Sequence, residues 1–247
     1  MRHPLALMAA CAVLASCGSE PEPVAEPEPT PTVAGPRTLV AAGFSEQDIG
    51  APIALDGSTQ FLTDMMFDGV ALGSIVSYVA CPAPQDAADA DAVDAATADP
   101  VEQGDSEETA EPCDLDTMAD DAVYTYVHRV TPGEGLEGDL LSFRTTRPAA
   151  GFANGIGFDR VEAEAALGED YAIGVQIDNG ALIWRIGAGN GWQAGETITL
   201  FWQSTLPPAE VLSAYEFETQ AGRSAADGPF PAPEEDEAES EEEAPTP

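Results

Sequence analysis

Tyr171-Ala172-Ile173-Gly174-Val175-Gln176-Ile177-Asp178-Asn179-Gly180-Ala181-Leu182-Ile183-Trp184-Arg185-Ile186 has the pattern of two β-strands joined by a tight turn. Its two halves alternate with period two, the spacing of strands whose side chains point to opposite faces in turn. Between them, Asn179 and Gly180 tolerate the positive φ angles that a tight hairpin requires. Leu182, Trp184 and Ile186 share one face of the second strand, so that face is expected to line a core.

The same alternation recurs on either side of this hairpin, at Val123 to Val130, Asp139 to Thr145, Thr197 to Ser204 and Val211 to Glu218. In the third of these, Ile198, Leu200 and Trp202 form a second apolar face. Helical signals are few. Asp159-Arg160-Val161-Glu162 has the pattern of a capping box and Gly168 could close the helix, although Val161, Ala163 and Ala165 also alternate. Ser45-Glu46-Gln47-Asp48 suits one short turn. Gly187-Ala188-Gly189-Asn190-Gly191 is a longer connection, and there is no internal repeat. Many short strands with turn signals predict an all-β chain: an antiparallel β-sandwich, with a β-barrel as the alternative and at most one or two short helices.

Charge sets the outer limits of the fold. The chain holds 45 Asp and Glu against eight basic residues, all arginine. Without Arg2, which lies in the leader described below, seven arginines remain and the net charge is about −38. Such a polyanion avoids nucleic acid and anionic headgroups. The absence of lysine excludes Schiff-base chemistry, a pyridoxal site and a P-loop lysine. Ten acids and no base lie in 82–112, and eight acids lie in 228–247. Both segments are too polar to offset chain entropy by burial and are expected to be disordered. A single domain is therefore drawn at 37–227, interrupted by the acidic insertion. Its foldable residues, 37–81 with 113–223, amount to about 156, which suits one core.

The N-terminus carries a different message. Met1-Arg2-His3 is followed by an apolar run from Leu5 to Val13 and by small residues, the anatomy of a secretory signal; the run is too short to span a bilayer, which takes roughly 20 residues. Leu14-Ala15-Ser16-Cys17 resembles the lipobox of bacterial lipoproteins. The resemblance covers the first 17 residues and implies cleavage after residue 16, a thioether-linked diacylglycerol on Cys17 and anchoring in a membrane of the cell envelope. Gly18, where the family's inner-membrane members tend to carry aspartate, favours the outer membrane. Residues 17–36 then alternate proline and glutamate, as in Glu20-Pro21-Glu22-Pro23, and an extended tether of this kind reaches roughly 60 Å at about 3.1 Å per residue.

In an oxidising envelope Cys81 and Cys113 are the pair left to form a disulfide, because Cys11 leaves with the signal and Cys17 is lipidated. The bond would pin the base of the acidic insertion and contribute roughly 3–4 kcal/mol in the chain-entropy account.

Candidate sites are few. His128 is the only histidine after the leader. It shares a strand face with Tyr124 and Tyr126, and any nucleophile-base arrangement would have to use it. No Gly-x-Ser-x-Gly elbow accompanies it. Gly104-Asp105-Ser106-Glu107 resembles the motif of the GDSL lipases, but Glu107 replaces the leucine and the stretch lies in the acidic insertion. Gly155-Ile156-Gly157-Phe158-Asp159-Arg160 has arginine at the third glycine of a dinucleotide fingerprint and reads as a loop.

Asp114, Asp116, Asp120 and Asp121 form a local acidic cluster open to weak calcium association or to a plain solvated turn; no other cofactor is expected. Trp192 follows glycines in a turn, where an indole either plugs the core or offers a flat face to a sugar or partner. Phe201, on the face opposite Trp202, is a second candidate for an exposed aromatic. Arg144 and Arg147 could grip an anion, though pairing within this acidic chain is the plainer expectation.

These features predict a noncatalytic envelope lipoprotein that binds an envelope protein or glycan or serves as a structural module. Carbohydrate or peptidoglycan binding through Trp192, or hydrolysis by a carboxylate pair, are the alternatives.

Overall fold

The computed structural model describes residues 35–83, 112–134, 140–188, 191–192, 194–220 and 222–232. The expected leader, Cys17, most of the expected tether and acidic insertion, including 104–107, and the residues beyond 232 lie outside the described residues. In chain order the strands are β1 (Arg37–Leu39), β2 (Ala42–Gly43), β3 (Ile49–Pro52), β4 (Phe61–Phe67), β5 (Val70–Pro82), β6 (Tyr124–Pro132), β7 (Leu140–Thr145) and β8 (Phe152–Phe158). Among the described residues the α-helix α1 (Arg160–Leu167) precedes β9 (Ala172–Asp178), β10 (Ala181–Ala188), β11 (Ile198–Ser204), β12 (Pro208–Thr219) and β13 (Arg223–Pro231).

The all-β expectation holds, in the form of two sheets, one of them curled into a half-barrel. The first sheet runs β1-β9-β10-β7-β12-β13 and the second β2-β8-β11-β6-β5-β3, with β4 also paired to β5. Pairing is antiparallel except between β2 and β8. The β9–β10 hairpin forms as read: Asp178 pairs with Ala181, and Asn179 and Gly180 take φ of 49° and 81°. Asp68 and Gly69, with φ of 49° and 81°, make the same kind of turn between β4 and β5.

The inward faces meet as alternation requires. Leu182 and Trp184 from β10 and Ile198, Leu200 and Trp202 from β11 are fully buried in one core. The Trp184 indole N–H crosses between the sheets to the Gly157 carbonyl at 2.8 Å. At one side of the sandwich, residues 40–41 carry the chain from the edge strand β1 to the edge strand β2. At the other side β4 meets β13: Thr63 Oγ1 donates to the Asp227 carbonyl and Ser224 Oγ to the Met66 carbonyl, both at 3.0 Å.

The second sheet is covered on both faces. Phe44, in a 3-10 turn over Phe44–Glu46, packs on Phe201 with ring centroids 5.6 Å apart. Helix α1 docks alongside, burying Ala163, Ala166 and Leu167 and exposing Val161, so the helical spacing wins over the alternating one. Asp159 caps it, accepting from Val161 N at 2.9 Å and Glu162 N at 3.0 Å. The other arm of the expected box is redirected: Glu162 Oε2 accepts from the Thr199 N–H of β11 at 2.6 Å. The helix start thereby continues the ladder beyond the end of β8, since Asp159 N also donates to the Thr199 carbonyl.

Gly155 to Phe158 belong to strand β8 rather than to a loop, and Gly157 is required there because a Cβ would collide with the Ala42 carbonyl of β2. β13 continues to Pro231, past the boundary drawn at residue 228. The reason is Phe230, buried with its ring 5.6 Å from Trp202 and 5.9 Å from Tyr215. The flanking prolines are tolerated because β13 is an edge strand. The barrel alternative survives only as the curl of one sheet. Cys81 and Cys113 form the expected disulfide.

Candidate functional site

The residues with the chemistry of a nucleophile-base pair meet in the middle of the sandwich. Ser77 of β5 and His128 of β6 are directly opposed in the register, and Ser77 Oγ lies 3.0 Å from His128 Nδ1. From the facing sheet, Tyr215 brings its ring centroid to 4.2 Å from the imidazole and Phe143 to 5.5 Å. Both Ser77 and His128 are wholly buried. Burial in these apolar surroundings lowers the His128 pKa to about 3. The imidazole is thus neutral at physiological pH, and a substrate arriving from solvent cannot touch it. Ser77 was missed in the sequence because it stands 51 residues from its partner inside an almost continuous apolar strand.

The surrounding polar groups serve the core. The Tyr215 hydroxyl donates to the Pro229 carbonyl at 2.9 Å and the Tyr126 hydroxyl to the Leu206 carbonyl at 3.1 Å. Burial raises the pKa of both phenols. Tyr126 stacks on Trp202 at 4.3 Å. The Trp202 indole N–H approaches the Tyr215 hydroxyl closely enough to oppose that phenol's upward shift, without forming a hydrogen bond of good geometry. His128 Nε2 has no hydrogen-bond partner among the described residues. A buried polar atom left so costs roughly 1–3 kcal/mol.

The other candidates are not gathered into a cleft. Trp192 is 4 % exposed and its indole N–H donates to the Glu196 carbonyl at 2.7 Å. It is the core plug rather than a flat face, because the turn folds the ring inward and gives its one donor an acceptor. Phe201 is fully buried beneath Phe44, so it is not an exposed aromatic either.

In the acidic cluster, Asp114 Oδ1 accepts from Asp116 N at 3.1 Å and caps a 3-10 turn over Leu115–Thr117. Asp116, Asp120 and Asp121 are exposed. Among the described residues no three His, Cys, Asp or Glu side chains converge as metal ligands.

Nor do Arg144 and Arg147 find the carboxylates expected of them among the described residues. Arg144 Nε donates to the Thr145 carbonyl at 3.4 Å. Among the described residues the arginine that pairs is Arg223, 3.6 Å from Glu216 and 3.2 Å from Glu218. Glu218 has its pKa lowered, first by the Ser142 hydroxyl and then by Arg223, against burial that acts the other way. A glycosidase acid needs the opposite shift. Comparison with protein-family models, with curated proteins and with solved structures finds no match for this chain.

Proposed function

We propose that this chain is a noncatalytic lipoprotein of the bacterial cell envelope, held through lipid on Cys17 and displaying its β-sandwich on a Pro-Glu tether as a binding or structural module. The observation that carries the reading is Leu14-Ala15-Ser16-Cys17 at the end of a cationic and apolar leader. Two acyl chains or more give stable membrane attachment where one does not. The net negative charge then holds the domain away from anionic surfaces while the tether sets its distance. Support for a noncatalytic role comes from His128, whose ring is spent on core packing and one contact with Ser77.

Fractionation of cells expressing the full chain and its Cys17→Ala variant tests the reading. The parent should sediment with membranes and, in a bacterium with two membranes, with the outer one. The variant should leave the membrane fraction. A parent protein recovered wholly without membrane, or a Cys17→Ala variant that remains bound, would sink the proposal.

A further inference from the structure

The chain contains three asparagines, Asn154, Asn179 and Asn190, and glycine follows every one. Asn190 lies outside the described residues. Asn154 and Asn179 are both exposed, and both hold positive φ, 63° and 49°. Glycine at the next position leaves the following backbone nitrogen unshielded by a side chain, which is the condition for attack on the asparagine's own side-chain carbonyl.

The two sites differ in what restrains the backbone. Asn179 sits at a closed hairpin: Asp178 pairs with Ala181, the Gly180 carbonyl accepts from Ala149 N at 2.9 Å, and Pro148 abuts Gly180. Asn154 sits in a bulge of β8. Phe152 pairs with Ser204 and Ile156 with Trp202, so Ala153, Asn154 and Gly155 together face Gln203 with no register partner on β11. Residues in a bulge lack the register partners that fix a regular strand; the Gln203 side chain packs on the Cα of Gly155, where a Cβ would collide with it, and no strand residue is paired opposite Asn154 or Gly155 on β11.

We propose that Asn154-Gly155 is a self-modification site, at which the folded chain converts Asn154 through a succinimide to aspartate and isoaspartate. The Gly155 nitrogen bonds to Asn154 Cγ, the Cγ–Nδ2 bond breaks, and Nδ2 departs as ammonia with the proton from the Gly155 N–H. Water then opens the ring at either carbonyl, returning a proton to the nitrogen and leaving a carboxylate. No oxidant or further reactant is required. The product carries a new negative charge beside Gln203, whose Nε2 lies 3.3 Å from Gln47 Oε1. The isoaspartyl form lengthens the backbone by one carbon in a bulge that already accommodates surplus chain, whereas the same change at Asn179 would break a two-residue turn.

The test is peptide mapping by mass spectrometry, with isoaspartyl methylation as the second readout. The full mature chain is incubated for weeks at physiological temperature and mildly alkaline pH, folded and in denaturant. In the folded chain Asn154 should convert severalfold faster than Asn179, and denaturation should bring the two rates together. Asn154→Gly, which keeps the positive φ and removes the amide, should abolish conversion in that peptide and leave the Asn179 rate unchanged. Asn154 intact in the folded chain while it converts in denaturant would overturn the assignment. So would faster conversion at Asn179, or an unchanged acidic product in the Asn154→Gly peptide.

Discussion

His128 sets an acid limit on the fold. Its pKa is about 3 in the native chain against an ordinary 6.5, so between those values the unfolded state binds a proton that the native state refuses. The stabilisation is complete above about pH 6.5 and is lost as pH falls toward 3, at roughly 1.4 kcal/mol per unit. The groups packed on the ring are Ser77 from its own sheet and Tyr215 and Phe143 from the facing one, none of which supplies a compensating negative charge.

A Ser77→Ala, His128→Leu pair removes the titrating ring and its partner together. Urea unfolding of both proteins at several pH values should show the parent losing stability between pH 6.5 and 4 faster than the pair. Parallel pH profiles would contradict this account of His128.

At the level of elements, the fold depends on a few close approaches. Gly157 admits β2 alongside β8, and any Cβ there meets the Ala42 backbone. Gly157→Ala should cost about 2 kcal/mol or more in denaturant unfolding, because backbone rather than a mobile side chain must give way. A loss below about 0.5 kcal/mol, the scale of an ordinary surface change, would show that β2 is dispensable.

The same elements explain what could be read from sequence. The β9–β10 hairpin, β6, β7, β11 and β12 are legible because each keeps a clear period of two in its sequence, even though β6 and β11 turn out to be buried on both faces. β5 was hidden, since both its faces carry apolar residues and it runs for 13 residues without a polar alternation. β8 and β13 were hidden by glycine, proline and aspartate, residues that strands normally avoid but that a bulge and a sheet edge accept. Burial of Trp192 and Phe201 was beyond local pattern. It follows from the inward turn of one ring and from Phe44 lying over the other, a contact between residues far apart in the chain.

For the whole molecule, the Cys81–Cys113 disulfide is one fixed point and the lipid proposed on Cys17 would be a second. Cys81 and Cys113 join the ends of the acidic insertion across a sequence separation of 32. Reducing the bond, or replacing both cysteines by serine, should lower stability by roughly 3–4 kcal/mol, read as a lower urea midpoint with near-native spectra before unfolding. An unchanged midpoint would mean that the paired β3, β5 and β6 hold the ends of the insertion without it.

Display of the sandwich from a membrane, as proposed, depends on lipid at Cys17. Mass spectrometry of the N-terminal peptide from membrane-extracted protein tests it most directly. The expected result is a mature chain that begins at Cys17 and carries diacylglycerol on its sulfur. A mature chain beginning elsewhere, or Cys17 present without lipid, would contradict it.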